Sequence, residues 1–214
     1  MKGLGVGLLI AAGVLLLVIG TAGTVFYIKV YRPIGGPIAA MGIAKTLEER
    51  QLQNRAEFLP PSSGELTEAQ TADFAAVEER VQEILATRNA VLAQTQADLE
   101  RANDANVLSA PTTLLAFGDV RGFYVDAKKA QVDAMNRANF SKEEFECVRK
   151  QLYRAAGLRL SQLDASEILA GVRDATVRVH RFEPGGPVPE RNQRLARPLA
   201  SKLQAWGALG FFGL

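Results

Sequence analysis

The chain has 214 residues, 48% of them hydrophobic, with 25 Lys and Arg against 23 Asp and Glu for a net charge of +2. One cysteine, Cys147, and one histidine, His180, exclude an intrachain disulfide and nearly exclude a His/Cys metal centre. Outside its N-terminal apolar run the chain is rich in Ala, Arg, Glu and Gln, which favours helix over sheet and leaves room for one modest domain.

Residues 4–28 form an apolar run without a single charge. At about 1.5 Å per residue it reaches roughly 37 Å as a helix, which predicts a retained single-pass membrane anchor rather than a cleaved signal peptide. Fourteen of its 25 residues are Leu, Ile, Val or Phe, together worth roughly −4 to −8 kcal/mol toward insertion. Gly3, Gly7 and Ala11 repeat every four residues, a strip against which another membrane helix can dock. Tyr27, Lys29, Tyr31 and Arg32 read as interfacial anchors, and a short N-terminal tail left inside places the C-terminal part on the periplasmic side of the inner membrane.

Residues 32–37 contain Pro33, Gly35, Gly36 and Pro37 and predict a stop, with a short amphipathic helix over residues 44–56 and a second break at residues 60–64. Thr67 and Gln70 then form a capping-box pattern that opens a long helix. Its apolar stripe is read as Phe74, Val77, Val81, Ile84, Val91 and Leu99, with Glu78, Glu79 and Glu83 on a solvated face. Residues 103–111 read as a turn, and residues 114–138 as a helix with Leu114, Phe117, Val120, Tyr124, Val132 and Met135 inward. Ser141 and Glu144 mark a further helix start, Gly157 its end, and residues 164–176 another helix. Cys147 reads as a structural thiol. Residues 177–182 alternate as a short extended piece would.

Charge is unevenly spread. Residues 46–110 hold 12 acidic against 5 basic residues, whereas residues 173–202 hold 7 Lys or Arg against 3 acids. In the tail Arg191, Arg194 and Arg197 recur every three residues, before Trp206, Phe211 and Phe212. An exposed apolar terminus is an aggregation hazard, so these six residues are expected to meet a partner or a membrane interface.

No phosphate-binding glycine loop, dinucleotide fingerprint, zinc spacing or calcium loop occurs, and the acidic half opposes nucleic acid. Residues 66–70, Leu-Thr-Glu-Ala-Gln, resemble the LTxxQ signature of the Spy and CpxP family of periplasmic stress chaperones, which are helical. The likeness covers five residues and has no second copy, and a capping box needs the same Thr and Gln.

The expected architecture is all-α: a transmembrane anchor (1–31), a linker with a short helix (32–64), a helical hairpin or bundle (65–182) and a basic, apolar-ended tail (183–214). The expected role is a non-catalytic accessory or assembly subunit of a larger membrane complex, of respiratory or photosynthetic kind. It would contact lipid and sister subunits and take no cofactor, metal, nucleic acid or small-molecule substrate. A membrane-tethered periplasmic chaperone or envelope stress sensor is the alternative.

Overall fold

The computed structural model describes residues 32–107, 120–163, 177–182 and 187–214, with positions 113, 116, 118 and 168. Helix α1, Arg32–Gln51, runs through the Gly/Pro segment that the sequence marks as a stop. Pro33 falls in the first turn, where a missing N–H leaves no gap, and Pro37 removes one further bond without ending the helix. Gly36 lies so close to the Arg121 guanidinium that a Cβ there would overlap it. Arg55 folds back to donate to the carbonyls of Glu49 (2.8 Å) and Leu52 (3.3 Å), closing the C-terminal end of α1.

Helix α2, Glu68–Leu85, begins as expected. Thr67 Oγ1 accepts from Gln70 N–H (3.0 Å), and Gln70 Oε1 accepts from Thr67 N–H (3.0 Å). One long helix was expected from here, but the chain turns at residues 86–88 and restarts as α3, Asn89–Asp104. The buried stripe is already one residue off the expected one before this break, stepping from Val81 to Leu85 within α2. Leu85 and Leu92 are buried while Ile84 and Val91 are exposed.

Helix α4, Arg121–Arg137, buries Tyr124, Val132 and Met135; Leu114 and Phe117 lie outside the described residues. Helix α5, Lys142–Ala155, starts at Ser141, whose Oγ accepts from Glu144 N–H (3.2 Å). It ends at Gly157 in left-handed backbone, with Leu158 N–H donating to the Tyr153 carbonyl (2.9 Å). Strand β1, Leu160–Leu163, pairs antiparallel with β2, Val179–Phe182, in the register Leu160↔Phe182 to Leu163↔Val179. The expected helix over residues 164–176 lies outside the described residues, apart from Ile168, which is helical and fully buried. Helix α6, Glu190–Ala196, and a 3-10 turn, Arg197–Leu199, lead into α7, Ala200–Phe211.

Helix α4 packs against both α1 and α2, α5 against α2 and α6, and α7 against β1, α2 and α3. One apolar core results, drawing on Met41 of α1, Phe74 of α2, Phe145 of α5 and Trp206 and Phe211 of α7. Phe74 stacks at 5.4 Å on Phe145 and meets Trp206 edge-on at 6.3 Å.

Two corrections follow. The described fold is mostly helical with a two-stranded sheet, not all-α. Among the described residues, no helix is long and apolar enough to cross a membrane. The longest helix among the described residues, α1, carries Lys45, Glu48, Glu49 and Arg50 in its second half. The expected anchor at residues 4–28, with Gly3, Gly7 and Ala11, lies outside the described residues. A single-pass fold and an inner-membrane, periplasmic placement are therefore without support and are withdrawn.

Candidate functional site

Among the described residues the core holds Glu78, which was expected on a solvated face, and Lys128 and Arg149, to which the sequence reading gave no place. Glu78 is 1% exposed, because it lies four residues after Phe74 and seven before Leu85, on the buried stripe of α2. Arg149 is also 1% exposed, four residues after Phe145 and three before Leu152 on α5. Lys128 sits midway between Tyr124 and Val132 on α4 and is buried too. Charged residues on an apolar stripe are the signal that would have found all three.

Their geometry sets their charge. Arg149 Nε stands 4.0 Å from Glu78 Oε1, beyond hydrogen-bond reach, and Glu78 Oε2 has no hydrogen-bond partner among the described residues. Burial therefore dominates, and pushes the Glu78 carboxyl up to about 8 despite the Arg149 charge. At neutral pH Glu78 is chiefly the uncharged acid. Arg149 Nη2 lies 3.6 Å from Glu146, and its guanidinium rests on the Phe145 ring at 4.7 Å. Burial works against the Arg149 charge, but Glu146 and then Glu78 more than offset it and hold its pKa above the ordinary value.

Lys128 Nζ is the hub of a second cluster. It contacts Glu48 Oε2 at 2.6 Å, Gln131 Oε1 at 2.9 Å and the Gly213 carbonyl at 2.8 Å. Burial pulls the Lys128 pKa down, opposed by Glu48. Lys142 reaches the other oxygen of Glu48. Burial alone would raise the Glu48 carboxyl, but the two ammonium groups hold it near 2.

These cations also receive the end of α7. A helix leaves its last carbonyls without intrahelical partners. Here Gly210 C=O faces Arg149 Nη1 at 3.5 Å, Phe212 C=O accepts from the Tyr124 hydroxyl at 3.2 Å, and Gly213 C=O accepts from Lys128. A Cβ on Gly210 would stand 3.1 Å from Leu160 Cδ1, so the helix lies tightly against β1. Trp206, Phe211 and Phe212 are consequently buried in the chain's own core. These three were expected to meet a partner or a membrane interface; in the described fold the apolar end is covered by the chain's own core. Arg191, Arg194 and Arg197 are exposed, with Arg194 3.8 Å from Glu190.

Two surface features surround this centre. The first is a half-open cleft of about 500 Å³ between α1, α4, α5, β1 and the end of α7. Lys45, Lys128, Lys142 and Lys150 line it with Glu48, Glu49 and Glu146, and Met41, Leu163 and Phe212 supply apolar wall.

The second is a strap, residues 52–65, that crosses the surface without regular structure. Two asparagine side chains clamp its ends as a neighbouring strand would. Asn136 accepts from Gln53 N–H (2.8 Å) and donates to the Gln51 carbonyl (2.9 Å). Asn192, fully buried, accepts from Leu66 N–H (2.8 Å) and donates to the Gly64 carbonyl (2.9 Å). Between the clamps, Leu59 is 78% exposed, and Pro60 and Pro61 follow it in solvent.

Cys147 is half-buried, and burial pushes its thiol pKa up, which keeps it a weak nucleophile. Among the described residues no group of three His, Cys, Asp or Glu is placed to hold a metal ion. The Thr67 and Gln70 of the five-residue chaperone-like stretch are engaged in capping α2, with Gln70 also donating to Glu144 (2.8 Å). Compared with protein-family models, curated proteins and solved structures, the chain matches none.

Proposed function

We propose that this chain is a non-catalytic accessory protein that joins a larger assembly through its strap. The observation that supports the reading is the pairing of rigid ends with an exposed apolar middle. Leu59, Pro60 and Pro61 stand in solvent between two asparagine clamps. Proline fixes its own φ, and a following proline restricts the residue before it to extended backbone. The segment is thus held open before any partner arrives, which lowers the ordering cost of docking. Such a segment suits a partner with an apolar, aromatic-lined groove of the kind that receives polyproline-type ligands.

The tail does not serve this purpose, since its aromatic residues are spent in the core. The experiment is purification of tagged full-length chain from its source cells, followed by identification of any stoichiometric partner. The wild-type chain is expected in a defined heteromeric complex, and Leu59→Asp is expected to weaken that complex roughly tenfold or more, from loss of about 1.5–3 kcal/mol of apolar burial. A complex indifferent to Leu59→Asp, or a wild-type chain that runs alone, defeats the reading.

A further inference from the structure

The lysine-lined cleft is a second feature, independent of the strap. We infer that it binds a small dianionic ligand, a phosphate monoester or a dicarboxylate. Four lysines on three helices converge there: Lys45 of α1, Lys128 of α4, and Lys142 and Lys150 of α5. Lys142, Glu146 and Lys150 repeat every four residues and so share one face of α5. The opposing carboxylates are largely committed. Glu48 bridges Lys128 and Lys142, and Glu146 faces Arg149 behind the wall at 3.6 Å. Glu49 has only a loose 3.7 Å pairing with Lys45, both of them well exposed.

Lys150 is the least compensated of the four. Its ammonium sits 4.5 Å from the centre of the Phe182 ring, a contact that orients the charge without neutralising it. With Arg149 adjoining, the cleft holds more positive than negative charge at a spot partly screened from water, where an anion gains more than it would in bulk solvent. A volume of about 500 Å³ lies within the range of small-molecule sites. The apolar wall from Met41, Leu163 and Phe212 favours a dianion carrying a short organic body over a bare ion. This departs from the sequence-level expectation that no small molecule binds.

The test is calorimetric titration of the full chain at low salt with phenyl phosphate, succinate and inorganic phosphate, and with phenol as the uncharged comparison. Phenyl phosphate or succinate is expected to bind saturably with a dissociation constant below about 1 mM, and raised salt should weaken it. Whichever binds tighter identifies the class, and phenol should not bind. Lys150→Met is expected to weaken binding about tenfold or more while thermal unfolding of the free protein stays near the wild-type value, since Lys150 is exposed and outside the buried network. Lys45→Met provides a second exposed position that should act in the same direction. Absence of saturable binding by both organic dianions, binding of phenol as tight as phenyl phosphate, or affinity unchanged in both variants overturns the inference.

Discussion

Replacing Glu78 by Gln offers the sharpest test of the buried charge centre. The substitution keeps size and shape and removes only the ionisation. In the folded chain the Glu78 carboxyl titrates near 8, against 4.5 for an ordinary glutamate. An acid whose pKa rises on folding binds its proton more tightly in the native state. Between these two values the native chain holds a proton that the unfolded chain has released, so stability falls as pH rises through that window. The slope is about 1.4 kcal/mol per pH unit, and the whole window is worth on the order of 5 kcal/mol. For a chain of this size each kcal/mol moves the midpoint by about 2–4 °C, so the total is of order 10–20 °C.

Thermal unfolding followed by circular dichroism at pH 5, 6, 7, 8 and 9 reads this directly, with Glu78→Gln as the reference at every pH. Wild type and variant should be close at pH 5. The variant should then become progressively more stable by comparison, and the gap should level off above pH 8. Arg149, Glu146, Lys128 and Tyr153 face this carboxyl in both proteins, so the difference isolates Glu78. Parallel pH curves, or a variant that loses ground as pH rises, would refute the account.

Three other outcomes follow from the same geometry. Glu48→Gln should cost about 3 kcal/mol at neutral pH, because buried Lys128 then loses the one close counter-charge it has among the described residues. Glu48 titrates near 2 rather than 4.5, so its stabilisation is present above about 4.5 and lost as pH falls toward 2; the variant's acid limb should flatten in urea titrations. Asn136→Ala and Asn192→Ala each remove two backbone hydrogen bonds at an end of the strap and should cost about 1–3 kcal/mol apiece. Limited proteolysis should cut faster within residues 55–63 in both variants, and equal cutting rates would contradict the clamp. Trp206→Ala should destabilise by about 3–5 kcal/mol in equilibrium denaturation, whereas a tail reserved for a partner would tolerate it with little change.

The sequence was legible where local chemistry dominates. The cap at Thr67, the cap at Ser141 and the stop at Gly157 were each readable from two or three residues, because a cap is a bond between near neighbours. The extended piece at residues 177–182 was readable from alternation, but its partner β1 was not. Four residues with Leu at either end do not distinguish strand from helix. The stop at residues 32–37 failed for a related reason: Pro33 falls in the first turn, where proline costs least, and Pro37 forfeits one bond in a helix held by its packing on α4. The break at residues 86–88 carries no Gly or Pro to mark it, and Ile84 and Val91 were chosen over Leu85 and Leu92 because steps of three and of four from Val81 are equally helical. Glu78 was misplaced, and Lys128 and Arg149 were passed over, because burial of a charge depends on what lies opposite in space. Their positions were visible all the same, each at helical spacing from aromatic or aliphatic core residues.

The apolar tail and the buried charges explain each other. A sequence that ends in Trp, Phe and Leu invites the idea of a sticky appendage, and three charged residues in a core invite the idea of a reactive site. Bringing α7 into the core buries its apolar side chains, yet also buries the carbonyls of its last turn, which lose their water. Each unmet carbonyl would cost about 1–3 kcal/mol. Arg149, Tyr124 and Lys128 face the carbonyls of Gly210, Phe212 and Gly213. The cations in turn require carboxylates, which Glu146 and Glu48 provide from partly exposed positions at the cleft. The lysine-rich cleft is thus the outer edge of the network that secures the tail, and any anion bound there would act on Glu48 and Lys128 before it could reach the core.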